Sequence, residues 1–382
     1  MNVLMALDYY RPNVSGLSLY VEHLAGALAR RGHAVTVLTH RHRPELPREE
    51  REDGVRIVRA PVAARFGKAL ISPGIVVAAA RELEKTDLLH LHSPLVPAVP
   101  LALLSTHRQV PMVVTYHCDL RPPPGVVQRL VETVARASQN FALDRAARVV
   151  TYTEDYASHT AALAERPERV TWVLPPVPDP APGRLSPEEV RRRYGIRGAP
   201  VILFLGRFAE EKGLPHLIEA FFSVRRSLPE AALVLAGEKN AVPGETVGER
   251  LAPLLADPSS GIVATGLVPP EATTDLFSVS DVLVLPSINS TESFGLCQVE
   301  AMLAGVPAVA SDLPGVRQPV RMTGMGEIAG IADAQDLARQ LLKVLENPAA
   351  YRRERRVIRA TFDPERTVSQ YEEIYRRAAS DP

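Results

Sequence analysis

The order of the apolar segments constrains this chain more than any other feature. Short apolar runs alternate with segments whose apolar residues recur at steps of three and four, beginning with residues 2–7 and 17–31. This alternation is typical of a parallel β-sheet covered by helices on both faces. It stops at residues 174–186, which contain five prolines, and restarts at residues 201–205. The sequence therefore predicts an α/β fold of two doubly wound, Rossmann-like domains joined by a proline-rich linker.

The same pattern divides the chain into four predicted segments. We expect a first domain at residues 1–174, a linker at 175–186, a second domain at 187–362 and a last helix at 363–382 that packs back on the first domain. Ligands of open α/β sheets bind outside the carboxyl ends of the strands. A cleft between two such domains is therefore the expected ligand site.

The charge and the cysteines exclude several classes of protein. Lys plus Arg and Asp plus Glu both total 44, so the net charge is zero and gives no general attraction to nucleic acid. Cys118 and Cys297 form no Cys-x-x-Cys pair, which argues against a disulfide scaffold or a structural metal site. The N-terminus resembles a strand rather than a signal peptide, and no apolar run has the length of a membrane span. We expect a cytoplasmic protein, with peripheral contact to the inner face of a membrane left open.

Two cations follow the first strand of the second predicted domain. Arg207 and Lys212 are five residues apart in a loop that begins at Gly206. A guanidinium and an ammonium at the carboxyl end of a strand can hold a diphosphate together. The sequence leaves an equal alternative, in which the loop lies on the surface and the cations pair with Glu210 and Glu211.

A polar loop and a predicted helix at residues 294–304 form the second candidate site. The amides of residues 293–296 would point out of the helix N-terminus and offer an anion site. Glu292 precedes this end, Glu300 lies about two turns along, and Gly295 in the first turn suggests a close approach to the backbone. In the alternative, a residue of the loop caps the helix and both glutamates are solvated.

Two weaker signals lie in the first domain. Gly16 lies between the first strand and the first helix, at the position of a phosphate loop but without a GxGxxG or Walker motif. His117 directly follows an apolar strand, where a titratable side chain is expected to face the cleft. The alternative is a histidine that caps the sheet and bonds to the backbone, which is the interpretation we prefer for His90 and His92.

In this order, the motifs resemble the retaining glycosyltransferases of family 4, also called glycosyl transferase group 1, which have the GT-B fold. The resemblance covers nearly the whole chain and is sharpest at Glu292 and Glu300, which form a Glu-x7-Glu motif. It implies that the second domain binds a nucleoside-diphosphate sugar and that the first binds the acceptor.

The resemblance also implies roles for single residues. Arg207 and Lys212 would bind the diphosphate, Glu292 would contact the donor sugar and His117 would lie beside that sugar. Ser15, where the family usually has a glycine, would place a hydroxyl near the phosphates. The implied donor-binding residues are Ser15, Gly16, Gly206, Ser293, Phe294, Gly295, Leu296 and Glu300.

The implied reaction is transfer with net retention and without a metal or other cofactor, since the chain has no Asp-x-Asp motif. The acceptor stays open among a glycan, a glycolipid and a small molecule. Residues 65–68 and 121–129 are basic with apolar neighbours, so a lipid acceptor at a membrane surface stays open as well. The alternatives are a sugar-nucleotide epimerase of the same fold and a non-catalytic sugar-nucleotide-binding protein.

Overall fold

The computed structural model describes residues 1–66, 69–120, 126–239 and 246–380. The chain divides into two compact units: unit 1 comprises Met1–Pro176 with Asp363–Pro382, and unit 2 comprises Val177–Phe362. Residues 67–68 and 121–125, which belong to the two basic segments considered for membrane contact, lie outside the described residues.

The centre of unit 1 is an eight-stranded sheet in the order β10-β9-β8-β7-β1-β2-β4-β3, with β5 and β6 forming a separate pair. The strands are β1 (Asn2–Ala6), β2 (Ala34–Arg41), β3 (Glu49–Glu52), β4 (Val55–Pro61), β5 (Ala64–Phe66), β6 (Ala69–Ile71), β7 (Leu88–Ser93), β8 (Met112–Tyr116), β9 (Arg148–Thr151) and β10 (Val170–Trp172). Within the large sheet β3 and β4 are antiparallel, and the other neighbouring strands are parallel. The residues of β7 and β8 are all buried, as expected for parallel strands covered on both faces.

The helices of unit 1 come from both ends of the chain. They are α1 (Gly16–Arg30), α2 (Pro73–Glu82), α3 (Ala98–Arg108), α4 (Val126–Arg145), α5 (Glu154–His159), α6 (Ala161–Ala164) and the C-terminal helix (Pro364–Ser380). The C-terminal helix packs against α1, β7 and β8, and its Tyr371 and Tyr375 are completely buried. The end of the chain is therefore part of the core of unit 1.

Unit 2 has a six-stranded sheet, parallel throughout, in the order β13-β12-β11-β14-β15-β16. Its strands are β11 (Val201–Leu205), β12 (Ala232–Ala236), β13 (Ile262–Gly266), β14 (Val282–Leu285), β15 (Ala308–Ser311) and β16 (Gly326–Ala329). Its helices are α7 (Pro187–Tyr194), α8 (Leu214–Ser227), α9 (Val247–Ala256), α10 (Pro270–Phe277), α11 (Leu296–Leu303), α12 (Gln318–Thr323), α13 (Ala334–Glu346), α14 (Pro348–Tyr351) and α15 (Arg355–Thr361).

The prediction of an α/β fold with parallel sheets in two domains is confirmed. The apolar run at residues 201–205 is β11 to the residue, and the run at residues 2–7 contains β1, which ends one residue earlier at Ala6. Within the described residues, no helix combines the length and the apolar character needed to cross a membrane.

Candidate active site

The order of strands in unit 2 defines one crevice. The chain builds the sheet from β11 through β12 to β13 in one direction and from β14 through β15 to β16 in the other. The loops after the adjacent strands β11 and β14 therefore diverge, which is the place where open α/β sheets bind ligands. Both candidate motifs of unit 2 begin here: Gly206 directly follows β11, and Pro286 directly follows β14.

The two loops touch through their backbones. The amide of Ile288 donates to the carbonyl oxygen of Glu211 at 2.9 Å. Gly213 has φ +67°, and a Cβ at this position would lie 2.0 Å from the carbonyl oxygen of Pro286. Only glycine permits this approach, so Gly213 fixes the separation of the two loops.

This contact brings together two predicted catalytic residues. The Lys212 ammonium lies 2.5 Å from a carboxylate oxygen of Glu292, and each side chain keeps 17% of its surface exposed. Burial alone would lower the pKa of Lys212, but the charge of Glu292 and its hydrogen bond outweigh this effect and raise the pKa. Lys212 is therefore charged at neutral pH and remains partly accessible.

The second cation is paired as well. The Arg207 guanidinium lies 2.5 Å from a carboxylate oxygen of Glu211, and 37% of its side chain is exposed. Glu210, the other candidate partner of the loop cations, pairs with Arg250. Arg207 thus has a partner that the alternative interpretation predicted, whereas Lys212 pairs across the crevice with Glu292.

The predicted helix start at residue 294 is wrong by two residues. α11 begins at Leu296, and Gly295 caps it in the left-handed conformation with φ +81°. A Cβ on Gly295 would lie 2.3 Å from a methyl group of Leu285, so packing within unit 2 by itself accounts for a glycine here. The amides at the helix N-terminus begin at Leu296, while Ser293 and Phe294 are buried in the preceding turn.

Glu300 lies in the second turn of α11 and is partly buried. Burial raises its pKa to about 7, which makes the carboxyl group a titratable element of the site near neutral pH. No hydrogen bond to its carboxylate occurs among the residues that the structure describes, so the group can accept a bond from a ligand.

The predicted donor-binding residues of unit 1 have structural partners. Ser15 caps α1, and its hydroxyl accepts the amide of Ser18 at 3.1 Å in a capping box. Gly16 is the first residue of α1, and a Cβ there would meet no atom within 4 Å. The packing of unit 1 therefore explains Ser15 but does not require a glycine at position 16.

His117 is inside unit 1, contrary to the expectation of a side chain that faces a ligand. Its Nε2 and His92 Nδ1 share a hydrogen bond of 2.9 Å, and its Nδ1 bonds to the Tyr152 hydroxyl. Burial lowers the pKa of His117 well below the usual value. The ring is therefore neutral, and both of its nitrogens already have partners.

The expected backbone bonds of His90 and His92 are also wrong, because side chains supply the partners of both His90 nitrogens and of His92 Nδ1. His90 shares hydrogen bonds of 2.7 Å with the hydroxyls of Thr115 and Tyr375. The apolar pattern of a strand shows where a histidine lies but not which distant tyrosine faces it.

Sequence reasoning passed over Asp8, which follows β1. Its carboxylate accepts the amide of Val96, with N–O distances of 3.2 and 3.4 Å. Burial raises the pKa of Asp8 to about 7. The signal in the sequence was a carboxylate directly after the first strand of a parallel sheet, in a position equivalent to that of the cations in unit 2.

No group of three or more His, Cys, Asp or Glu side chains that could hold a metal ion occurs among the described residues. Unit 2 thus places paired charges at a sheet switch point next to a helix N-terminus, where α/β enzymes commonly bind ligands.

Comparison with known proteins identifies the family. Residues 186–361 match the family model of the glycosyl transferases group 1, and residues 15–176 match the glycosyl transferase 4-like domain. The chain belongs to the group 1 glycosyl transferases and is an enzyme of the GT-B fold that transfers sugar from a nucleotide sugar. The predicted family, fold and enzyme class are thus confirmed.

Relatives of known activity cover almost the whole chain. The 2-deoxystreptamine glucosyltransferase of Streptomyces kanamyceticus is 30% identical, over 87% of this chain and 90% of the relative. The D-inositol 3-phosphate glycosyltransferase of Kineococcus radiotolerans is 30% identical, over 97% and 92%. Among solved structures, Anabaena HepE in complex with UDP and glucose is similar in fold, with a TM-score of 0.76, 18% identity and coverage of 98% and 99%.

Proposed function

We propose that the protein is a retaining, metal-independent glycosyltransferase that moves a sugar from a nucleoside-diphosphate sugar to a polyhydroxylated ring. The observation that supports this most directly is the Lys212–Glu292 ion pair at the crevice between β11 and β14, with Arg207 in the same loop. The pair provides a cation for the diphosphate and a carboxylate for the sugar hydroxyls.

The charges of the crevice fit the chemistry of the leaving group. When the bond between the sugar and the diphosphate breaks, negative charge grows on the phosphate oxygens. Arg207, Lys212 and the amides that begin at Leu296 would stabilise that charge, as preorganised donors do. In the free protein Glu211 and Glu292 neutralise the two cations, so the diphosphate would replace carboxylates rather than water.

Metal independence rests on the same two cations. Enzymes that use a metal for this task need carboxylates to hold it, and the chain has no Asp-x-Asp motif. A guanidinium and an ammonium can take the place of the metal charge. A ring contact of His117 with the sugar would require the exchange of its bond to His92 or Tyr152, so we assign no contact with the sugar to His117.

The relatives favour a ring-shaped polyol as acceptor. Two of them are named for transfer to 2-deoxystreptamine and one for transfer to D-inositol 3-phosphate, all of which are cyclitols. HepE was solved with UDP, which makes a uridine donor the first to test. The epimerase and the non-catalytic binding protein are not favoured, because these relatives are named as glycosyltransferases.

The test uses the full chain with UDP-, ADP- and GDP-glucose labelled in the sugar, and with myo-inositol, 2-deoxystreptamine or water as acceptor. We expect the label in a new glycoside or in free glucose. NMR of the glycoside should show the α configuration. A β product would contradict retention, and a changed sugar still attached to the nucleotide would indicate the epimerase. Binding of the nucleotide sugar without either product would indicate the non-catalytic sugar-nucleotide-binding protein.

A matched pair of variants ties the activity to the crevice. Arg207→Ala removes the guanidinium paired with Glu211, and Arg250→Ala removes the one paired with Glu210 in the same loop. We expect a loss of turnover of about a hundredfold in the first variant only. Equal losses in both would show that general loop charge, rather than the diphosphate contact, matters.

A further inference from the structure

Unit 1 has a switch point of its own. The chain builds its sheet from β1 through β2 to β4 in one direction and from β7 through β8 and β9 to β10 in the other. The loops after the adjacent strands β1 and β7 therefore diverge and leave a crevice. Asp8 from the first loop and Val96 from the second meet there, and the nucleotide site proposed above uses neither residue.

Asp8 is a carboxylate without a cation. Among the residues that the structure describes, its one ion-pair candidate is His40, whose Nδ1 lies 3.5 Å from Asp8 Oδ1. Burial lowers the pKa of His40, so this ring is neutral. The Asp8 side chain keeps 17% of its surface exposed, which leaves it accessible to a ligand. By contrast, the Glu22 carboxylate in the same unit forms an ion pair with Arg11, so carboxylates of unit 1 do not generally lack a cation.

Two buried histidines, His40 at the end of β2 and His42 just after it, lie in the same unit as this carboxylate, and His40 contacts it. His40 is completely buried, and its Nε2 has no hydrogen bond among the described residues. His42 is 8% exposed, and neither of its ring nitrogens has a partner there. These nitrogens are inaccessible, so a ligand in the crevice reaches the Asp8 carboxylate rather than the imidazole rings. Arg65 donates to the His42 carbonyl oxygen and forms no ion pair with Asp8.

We propose that the crevice beside Asp8 binds an amine-bearing polyol, an aminocyclitol or amino sugar, whose ammonium pairs with the Asp8 carboxylate. This inference rests on the proposed function, because the ligand would be the acceptor. It goes further by fixing the charge of the acceptor as positive. A phosphorylated acceptor would place like charges together at Asp8, which is unfavourable.

The pH dependence follows from the groups around the carboxylate. Without a ligand the pKa of Asp8 is raised to about 7, so the group is largely protonated at pH 6 and largely ionised at pH 8. Its titratable neighbours are His40 on β2, with a lowered pKa, and Tyr9 in its own loop, with a raised pKa, while the loop after β7 contributes the Val96 amide. The lowered pKa of His40 and the raised pKa of Tyr9 leave both groups uncharged at neutral pH. Affinity for an amine should therefore rise with pH through about 7 and level off.

The experiment titrates the UDP-saturated full-length protein calorimetrically with three probes: scyllo-inosamine, scyllo-inositol and myo-inositol 1-phosphate. The first two differ by one ammonium in place of one hydroxyl. We expect the amine to bind about tenfold more tightly than the neutral polyol at pH 7.5, and the difference to shrink at pH 6.

The Asp8→Asn variant should reduce the preference to about twofold or less without changing the affinity for UDP. Asp87→Asn is the control, because this exposed carboxylate of unit 1 also accepts a backbone amide, that of Asn2 at 2.7 Å. If Asp8→Asn does not fold, the pH dependence of the wild-type protein decides.

The proposal is overturned if the amine and the polyol bind equally, if the phosphate binds best, or if no probe binds at millimolar concentration while UDP does. It is also overturned if Asp8→Asn keeps the preference. A failure of the proposed function has a different signature, because then UDP does not bind and no glucose is transferred or released by the wild-type protein.

Discussion

The two sheets have equivalent crevices in opposite electrostatic states. In unit 2 the cations of the crevice are already paired, Lys212 with Glu292 and Arg207 with Glu211. In unit 1 the Asp8 carboxylate has no cation among the described residues, and its neighbour His40 has a lowered pKa. The same topology therefore provides one site where an anionic ligand exchanges counter-ions and one where a ligand brings the missing charge. The comparison teaches that topology places a site, whereas the local charges select its ligand.

The largest expected effect comes from Lys212→Ala, which would give unit 2 the unpaired state found in unit 1. It removes the cation from Glu292, a carboxylate with 17% of its side chain exposed. We expect turnover with the nucleotide sugar to fall by about two to three orders of magnitude, as for a lost electrostatic contact to a leaving group. Steady-state kinetics measures this, and circular dichroism checks the fold.

Two further variants separate charge from catalysis. Lys343→Ala is the control, since it breaks an exposed ion pair with Glu327 in the same unit and should leave turnover unchanged. Lys212→Ala alone leaves the Glu292 charge without a partner, which should also lower the free energy of unfolding. The double variant Lys212→Ala, Glu292→Gln removes both charges and should restore this free energy but not the activity. Full activity in the double variant would contradict a direct role of Lys212 at the diphosphate.

The second effect concerns how the loops meet at each crevice. In unit 1 a side chain bridges the loops, from Asp8 to the Val96 amide, whereas in unit 2 the backbones touch at Gly213 and Pro286. Gly213→Ala should therefore cost about 3 kcal/mol of unfolding free energy, because it combines a strained φ with a clash. Urea denaturation measures the loss.

The control for this variant is Gly305→Ala. Gly305 also has a positive φ, +85°, but a Cβ there would meet no atom within 4 Å. Its cost should be about 1 kcal/mol, from the backbone conformation alone. If the two variants lose the same free energy, the close approach of the loops in unit 2 does not contribute to stability.

The third effect uses a feature that both units share, a carboxyl group whose pKa burial raises to about 7: Glu300 in unit 2 and Asp8 in unit 1. If ionised Glu300 accepts the ribose hydroxyls, UDP affinity should rise severalfold from about pH 6 to pH 8, because the group loses its proton over this range. Glu300→Gln should abolish this dependence, and Asp8→Asn should leave it intact. Calorimetric titration of UDP at each pH measures it, and a pH dependence that follows Asp8 instead would reverse the assignment of the two units.

The strands, helices and loops could be predicted from the sequence. The side-chain pairs that form between distant segments could not. The strand Val282–Leu285 was predictable because a short apolar run ends at a proline, which stops the strand. The pairing of Lys212 with Glu292 was not predictable, because it depends on β11 and β14 being neighbours although 80 residues separate the two side chains. The same reason explains His117, whose neighbours are His92 in β7 and Tyr152 directly after β9.

The error at α11 has a more local cause. A glycine in a predicted first turn was interpreted as a sign of a ligand near the backbone. The left-handed φ of Gly295 instead ends the preceding turn and delays the helix to Leu296, while the methyl group of Leu285 occupies the space of a Cβ. Neither the sign of φ nor the contact with a side chain ten residues earlier is encoded in the local apolar pattern.

The smallest expected effect is that of removing divalent metal ions, which should leave turnover unchanged. The cations of unit 2 are covalent parts of the chain, and the raised pKa of Lys212 keeps its charge at neutral pH. If these cations take up the charge of the departing diphosphate, EDTA should leave turnover unchanged, and added manganese should not restore activity to Lys212→Ala. Loss of activity with EDTA and its return with manganese would mean that a metal, rather than Arg207 and Lys212, stabilises the leaving group. The paired charges of unit 2 would then serve the fold rather than the reaction.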